Sequence, residues 1–151
     1  MTCDHVITEE MIKSNKSVKI TYNLNQNELN ICLNKNERII RSYRYLNMDV
    51  VVIEILKKDG NIYKSNYLLS NQQFGHEIFT NKKVIVPQYP KLEDLSYSEG
   101  DIKSTENYEI THLASTDFGS SGSPIFLENS SKVLGIHYGS NENKKENYGN
   151  F

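Results

Sequence analysis

Thr116-Asp117-Phe118-Gly119-Ser120-Ser121-Gly122-Ser123-Pro124-Ile125-Phe126 is the stretch on which the fold turns. Two glycines flank two serines, and a short apolar run follows. Glycine at 119 puts no side chain in the way of a ligand and lets its amide point outward. Glycine at 122 lets a second backbone approach. A serine held between them on a tight turn exposes its Oγ, and the amides of residues 119 and 121 can converge on one point. That layout suits a nucleophile beside an oxyanion hole. A Gly/Ser-rich turn leading into a strand is the plainer reading of the same residues.

Outward from this segment the dominant period is two. Val18, Ile20, Tyr22 and Leu24 alternate with Lys19, Thr21 and Asn23, and Leu29, Ile31 and Leu33 alternate with Asn30, Cys32 and Asn34. Such alternation belongs to half-buried strands. Val50 to Leu56 is apolar apart from Glu54 and reads as a central buried strand. A weaker strand is expected over Ile62 to Leu69, after an Asp59-Gly60-Asn61 turn. Val84-Ile85-Val86 is expected to stop at Pro87, and Tyr108–Leu113, Pro124–Leu127 and Val133–Tyr138 follow as strands. The run from Ser140 to Asn147 reads as a solvated loop. The best helical piece is Thr8 to Lys13, with Thr8 able to cap and Glu9 and Glu10 suited to the positive helix end. Many short strands with frequent turn signals predict an all-β sandwich or barrel.

Composition excludes several function classes. The 151 residues are 37% hydrophobic and 24% charged, enough for one average domain or two small lobes sharing a core. Lys+Arg 17 against Asp+Glu 19 leaves a net charge of −2. There is thus no electrostatic drive toward nucleic acid or an anionic membrane, and neither is expected as a partner. No run of about 18 apolar residues could span a bilayer as a helix. Cys3 and Cys32 are too few for a disulfide scaffold; one bridge or two free thiols both fit. No basic n-region or apolar h-region follows Met1, so no signal peptide is visible and the compartment stays open. His76-Glu77-Ile78-Phe79-Thr80 begins like a zinc-protease helix but has Thr80 where the second histidine must stand. No phosphate loop, dinucleotide fingerprint or Cys/His metal spacing is present, so no cofactor or metal is expected.

A nucleophilic serine needs a base, and the base needs an orienting acid. His5 sits just before the short capped helix, where an imidazole can project into a cleft. Asp49 opens the run Asp49-Val50-Val51-Val52-Ile53. A carboxylate against a row of valines is costly unless a hydrogen-bond donor meets it, and an imidazole N–H is such a donor. The three come in the order His5, Asp49, Ser121, which is the chain order of the chymotrypsin triad and not that of subtilisin or the α/β-hydrolases.

On the blocks Thr2-Cys3-Asp4-His5-Val6-Ile7, Asp49-Val50-Val51-Val52-Ile53 and Gly119-Ser120-Ser121-Gly122-Ser123-Pro124, the chain resembles the chymotrypsin-fold serine proteases. It is most similar to their glutamyl endopeptidase branch, whose Gly-Ile-His-aromatic-Gly strand is matched by Gly135-Ile136-His137-Tyr138-Gly139. The resemblance implies an all-β fold of two packed antiparallel β-barrels. Residues 1–80 would form the first lobe, bearing His5 and Asp49, and residues 81–151 the second, bearing Ser121 and the specificity pocket. The family has strands ahead of the histidine where only four residues stand here, so the first barrel is expected to be incomplete. Ser120 also replaces the aspartate that trypsin-like enzymes carry before the nucleophile.

The resemblance further implies roles. Ser121 would attack a peptide carbonyl, His5 would carry its proton, and Asp49 would orient the imidazole. The amides of Gly119 and Ser121 would hold the oxyanion. Tyr138 and Gly139 would pair with a protein or peptide substrate as an added strand. Ser115 and Thr116 would form the base of the pocket and His137 its wall. A hydroxyl at 115 in place of a carboxylate speaks against Lys or Arg, while the His137 imidazole and the Thr116 hydroxyl could both donate to a glutamate side chain. The rival reading is a non-catalytic peptide-binding relative on the same fold.

Overall fold

Branched and aromatic residues that alternate with polar ones do become strands, but the two halves of the chain use them differently. The computed structural model describes residues 1–22, 27–64, 68–71 and 76–151. Helix α1 (Glu9–Lys13) is one short piece, capped where Met11 N–H donates to the Thr8 hydroxyl at 3.3 Å. Strands β1 (Ser17–Tyr22) and β2 (Asn27–Cys32) form an antiparallel pair, as do β3 (Ile40–Ser42) and β4 (Val51–Ile53). Asn23 and Leu24, expected to continue the first strand, lie outside the described residues. Leu33, Ile40, Val51, Ile7 and Ile12 bury together and join these pieces. A fully buried side chain of this size is worth about 1.5–3 kcal/mol relative to an exposed one.

The second half closes on itself. Strands β5 (Leu69–Ser70), β6 (Lys83–Gln88), β7 (Ser96–Glu106), β8 (Glu109–His112), β9 (Pro124–Leu127), β10 (Lys132–Asn141) and β11 (Glu146–Asn150) form one sheet in the order β11-β8-β7-β6-β9-β10-β5. A further β10–β11 pairing closes six of them into a barrel, with β5 appended in parallel to β10. Closure removes the open edges that a flat sheet would leave. Val84, Val86, Ile102, Ile110, Ala114, Ile125 and Leu134 fill the interior with Phe79. Among the described residues the first half forms no second closed barrel, so its two sheets stand in place of the complete lobe of the two-barrel plan.

Several local expectations are corrected. The strand expected over Val50–Leu56 is confined to Val51–Ile53: Glu54 N–H still donates to Ile39 C=O, but the Ile39 amide goes to the Glu54 carboxylate and the Glu54 C=O to Arg38, so the ladder stops there. Ile62–Lys64, expected as strand, continue a 3-10 segment, Lys57–Lys64, kinked at Gly60. Residues 65–67 of that expected strand lie outside the described residues, and only Leu69–Ser70 are extended. Pro87 does not end its strand: β6 runs to Gln88. It pairs with β9 only at Val84 and Ile85, so a residue without an N–H is tolerated beyond that point. The expected loop Ser140–Asn147 is instead a hairpin whose arms are the ends of β10 and β11.

Candidate active site

His5 and Asp49 meet because their segments form a bridge. Thr2 N–H donates to Val51 C=O at 2.9 Å, and Val51 N–H returns the bond to Thr2 C=O at 2.8 Å. Beyond Thr2 the chain turns tightly, with the amides of Val6 and Ile7 both donating to Cys3 C=O at 3.2 Å. Asp4 anchors the turn from beneath: its buried carboxylate accepts the Ser42 hydroxyl at 2.6 Å and pairs with Arg44. His5 is left on the outside of the turn, and Asp49 stands just ahead of β4. The Asp49 carboxylate accepts the His5 backbone amide at 2.9 Å and the ring Nδ1–H. Asp49 N–H donates to Asn150 Oδ1 at 3.0 Å, which ties this segment to the last barrel strand.

Ser121 arrives from two consecutive turns. Ser120 N–H donates to Asp117 C=O at 3.1 Å, and Ser123 N–H to Ser120 C=O at 3.0 Å. Each turn places glycine third, at Gly119 (φ 92°) and Gly122 (φ 88°), where a positive φ is required and glycine alone adopts it readily. The loop is pinned to β10 by Gly122 N–H to His137 C=O and His137 N–H to Ser123 C=O, both 2.8 Å. Its neighbour Ser120 is fully buried. Its hydroxyl donates to Gln88 Oε1 at 2.6 Å, and Gln88 in turn donates to Ser98 Oγ and Ser115 C=O.

The two segments converge so that Ser121 Oγ lies 2.9 Å from His5 Nε2. With Nδ1–H given to Asp49, the neutral ring offers Nε2 as acceptor and the serine hydroxyl donates. An uninterrupted chain Asp49–His5–Ser121 results. Among the described residues no protein group accepts the amides of Gly119 or Ser121. The segments also touch through Cys3, whose thiol donates to His137 C=O at 3.2 Å.

The expected pocket residues occupy different settings. Ser115 is exposed, and the Thr116 hydroxyl donates to Asn147 Oδ1. His137 is buried, its Nδ1 unpartnered among the described residues. Burial chiefly lowers its pKa to about 4, with the charge on His5 acting in the same direction. It is therefore neutral at pH 7. Tyr138 is the extra residue of a β-bulge, because His137 pairs with Gly149 while Gly139 pairs with Tyr148. Its hydroxyl donates to Glu109 and its ring stacks on Tyr148 at 6.1 Å. Bulges commonly re-aim a side chain in this way. Gly139 faces open space.

Three residues beside the site carried no such reading in the sequence. His112 is fully buried against His137, ring centroids 5.6 Å apart, with neither ring nitrogen partnered among the described residues. Burial and the neighbouring imidazole lower its pKa to about 3. Its place in the apolar-polar alternation Ile110-Thr111-His112 gave no sign of this. Asn147 and Asn150 lie in the segment read as polar end and loop. Among the described residues the one grouping of metal-ligating side chains is Cys3, His5 and Asp49, with donor atoms within 4.8 Å of one another. Both cysteines are free, and burial pushes the Cys3 thiol up to about 12, so it keeps its proton. His5 and Asp49 are already turned on each other.

No family model matches the chain, and no curated protein matches it. Solved structures do. The chain is similar to the Rv3671c protease of M. tuberculosis, seen as a serine-to-alanine mutant in its inactive form, at 16% identity and TM-score 0.65 over 99% of this chain and 69% of that one. A second structure of the Rv3671c protease, also inactive, aligns at 18% identity and TM-score 0.64 over 99% and 71%. A Glu endopeptidase in complex with MPD aligns at 19% and 0.66 over 99% and 73%. The chain thus has the chymotrypsin-like fold of these structures.

Proposed function

We propose that the chain is a serine endopeptidase that cleaves after acidic residues, glutamate first. The observation that carries the proposal is the hydrogen-bonded chain from Asp49 through His5 to Ser121, assembled from three segments distant in sequence. In this reading Ser121 Oγ attacks the scissile carbonyl as its proton passes to His5 Nε2. Asp49 holds the ring in the correct tautomer and stabilises the imidazolium. The developing oxyanion takes the amides of Gly119 and Ser121, which have no other acceptor among the described residues. His5 then protonates the leaving amine, and water repeats the sequence on the acyl-enzyme.

Preference for glutamate draws its support from His137. The buried His137 Nδ1 lacks a partner among the described residues, and a substrate carboxylate would pair with it by drawing a proton onto that nitrogen, which a neighbouring anion favours. Thr116 would join it by exchanging its Asn147 partner for the substrate. A site built to hydrogen-bond a carboxylate discriminates strongly against side chains that lack acceptors. The test has two arms. A fluorophosphonate should label the chain and fail to label Ser121→Ala, while Ser123→Ala remains reactive. A peptide-library profile should peak at glutamate and flatten in His137→Ala. No labelling of the parent chain sinks the hydrolase, whereas equal cleavage after Glu and Leu sinks only the specificity.

A further inference from the structure

The Phe118–Gly119 peptide is gripped from outside the Ser121 loop. Its carbonyl accepts the Lys91 backbone N–H at 2.5 Å. At the other end of Phe118, the N–H donates to Asp117 Oδ1 at 2.7 Å, and Asp117 Oδ2 lies 3.7 Å from Lys91 Nζ. The strap that delivers Lys91, Tyr89 to Leu92, lies directly on Gly119: a Cβ there would come within 2.7 Å of Tyr89 C=O and 3.0 Å of Leu92.

The strap itself is unusual. Lys91 and Leu92 are consecutive non-glycine residues in the left-handed region, at φ 56° and 61°. Side chains disfavour that conformation, so neighbouring structure must impose it. Here Leu92 N–H donates to Tyr89 C=O at 3.0 Å and Glu93 N–H to Pro90 C=O at 3.1 Å, closing two overlapping turns. The result turns the Lys91 amide toward Phe118.

A trans peptide is planar, so its C=O and N–H point in opposite directions. The turn Asp117–Ser120 could hold its central peptide either way round, since the two common turn types differ by rotating that peptide, and glycine at the third position accepts both. Gly119 therefore permits the observed orientation without choosing it. Fixing Phe118 C=O on Lys91 makes the choice, and aims Gly119 N–H away from the strap. We propose that the Tyr89–Leu92 strap, through the Lys91 amide, is the positioning element that presets the Gly119 half of the oxyanion hole. With that bond gone the peptide is free to rotate, and the rotated form would turn a carbonyl toward the oxyanion. The proposal rests on the reading of Ser121 as nucleophile.

The test removes the Lys91 N–H and leaves every side chain in place; the Pro90 carbonyl, now part of an ester, stays as a weaker acceptor for Glu93 N–H. Incorporating the α-hydroxy analogue of lysine at position 91 replaces the amide by an ester, and the same exchange at exposed Lys144 is the control. Relative to that control, the ester at 91 should lower kcat at least tenfold with KM within about twofold. The pH midpoint of kcat/KM should not move, because His5 is untouched. A peptide aldehyde, whose adduct mimics the oxyanion, should bind more weakly by the factor lost in kcat/KM. Unchanged kcat, or a change confined to KM, overturns the proposal. Should the ester chain not fold, the parent chain still decides: the scalar coupling between the Lys91 amide nitrogen and the Phe118 carbonyl carbon must be detectable, and its absence overturns the proposal. Fluorophosphonate labelling of the parent is measured first. Failure to label overturns the nucleophile and the proposal together, whereas a labelled Ser121 with an unaffected ester variant overturns the strap alone.

Discussion

The barrel half of the chain satisfies its backbone by closing a ring, and the first half relies on a few side chains. In the barrel every strand from β6 to β11 has a neighbour on each side, and the apolar interior is continuous. In residues 1–64 the two sheets have two strands each, and much of what holds them is polar. Arg38 and Asp59, both buried, make two bonds of 2.8 and 3.0 Å, and Arg38 also donates to Glu54 C=O. Asp4, Ser42 and Arg44 form a second clamp under the His5 turn. The candidate triad straddles the two, taking His5 and Asp49 from the side-chain-held half and Ser121 from the ring. Catalytic geometry should thus depend most on the less strongly self-supported partner.

The largest effect expected is on what the first half contributes to chemistry. Asp49→Asn keeps the shape but offers the His5 ring an amide, which can fix the wrong tautomer. If the triad works as proposed, turnover should fall by roughly 10⁴, the magnitude typical of the analogous change in a Ser-His-Asp triad. Steady-state kinetics on a glutamyl peptide checks this. A loss below tenfold would mean that Asp49 only braces the His5 turn through its bond to the backbone amide.

Next in size is the clamp. Asp59→Ala leaves Arg38 buried without its partner, and breaking a buried pair in this way costs about 3–5 kcal/mol. Hydrogen exchange should speed up across β1 to β4 and the His5 turn, while amides at the centre of β7 and β10 keep their protection. Equal loss in both halves would show one cooperative unit and dissolve the contrast. The apolar alternative, replacing Arg38 and Asp59 together by Met and Leu, should recover much of the stability.

The same contrast explains what could be read from the sequence. Leu29, Ile31 and Leu33 announce β2 and the residue after it because every second side chain turns inward, Leu29 partly and Ile31 and Leu33 fully buried. The Ser121 loop was legible because glycine at 119 and 122 has a conformational cause. Strand β7 was not, since Ser96–Glu106 buries only Ile102 and Thr105 fully and leaves its other positions partly or wholly exposed. Strand β11 hides for the opposite reason: Glu146, Asn147 and Asn150 are buried but polar, held by Lys103, Thr116 and the Asp49 amide. Those partners come from β7, from the loop at Thr116 and from the first half of the chain, and contacts made so far along the chain have no local signature. Neither does the strap at Lys91 and Leu92, whose conformation comes from contacts made far along the chain.

A pH series should separate the halves again, at smaller amplitude. His112 and His137 both lie in the barrel half and are held neutral by burial, at about 3 and about 4. Unfolded, each would bind a proton near pH 6.5. Between those values the unfolded chain holds more protons, so stability is full above about pH 6.5 and falls as pH drops toward 4. By pH 5 each histidine should cost about 2 kcal/mol. Denaturant melts at pH 7 and 5 should show the loss, and His112→Phe should remove about half of the difference. A slope unchanged by His112→Phe would place the acid sensitivity elsewhere.

The smallest effect tests how firmly His5 is held. Thr8 caps α1, a helix of only five residues that begins just after the His5 turn, and its hydroxyl accepts one amide there. Thr8→Ala should cost about 1 kcal/mol, the usual worth of such a cap. So short a helix does not stand without its cap and without Ile12 in the cluster of Leu33 and Val51. The loss should therefore appear locally, as faster exchange of the Met11 and Ile12 amides, before it appears in the global melt. If His5 is positioned by the Thr2–Val51 bridge and the Asp4 clamp, kcat should change by less than about threefold. A larger fall in kcat with unchanged KM would make α1 part of what aims the imidazole. A change in the global melt with no local loosening would mean that the two halves open together, and the division between ring and clamps would fail at its weakest joint.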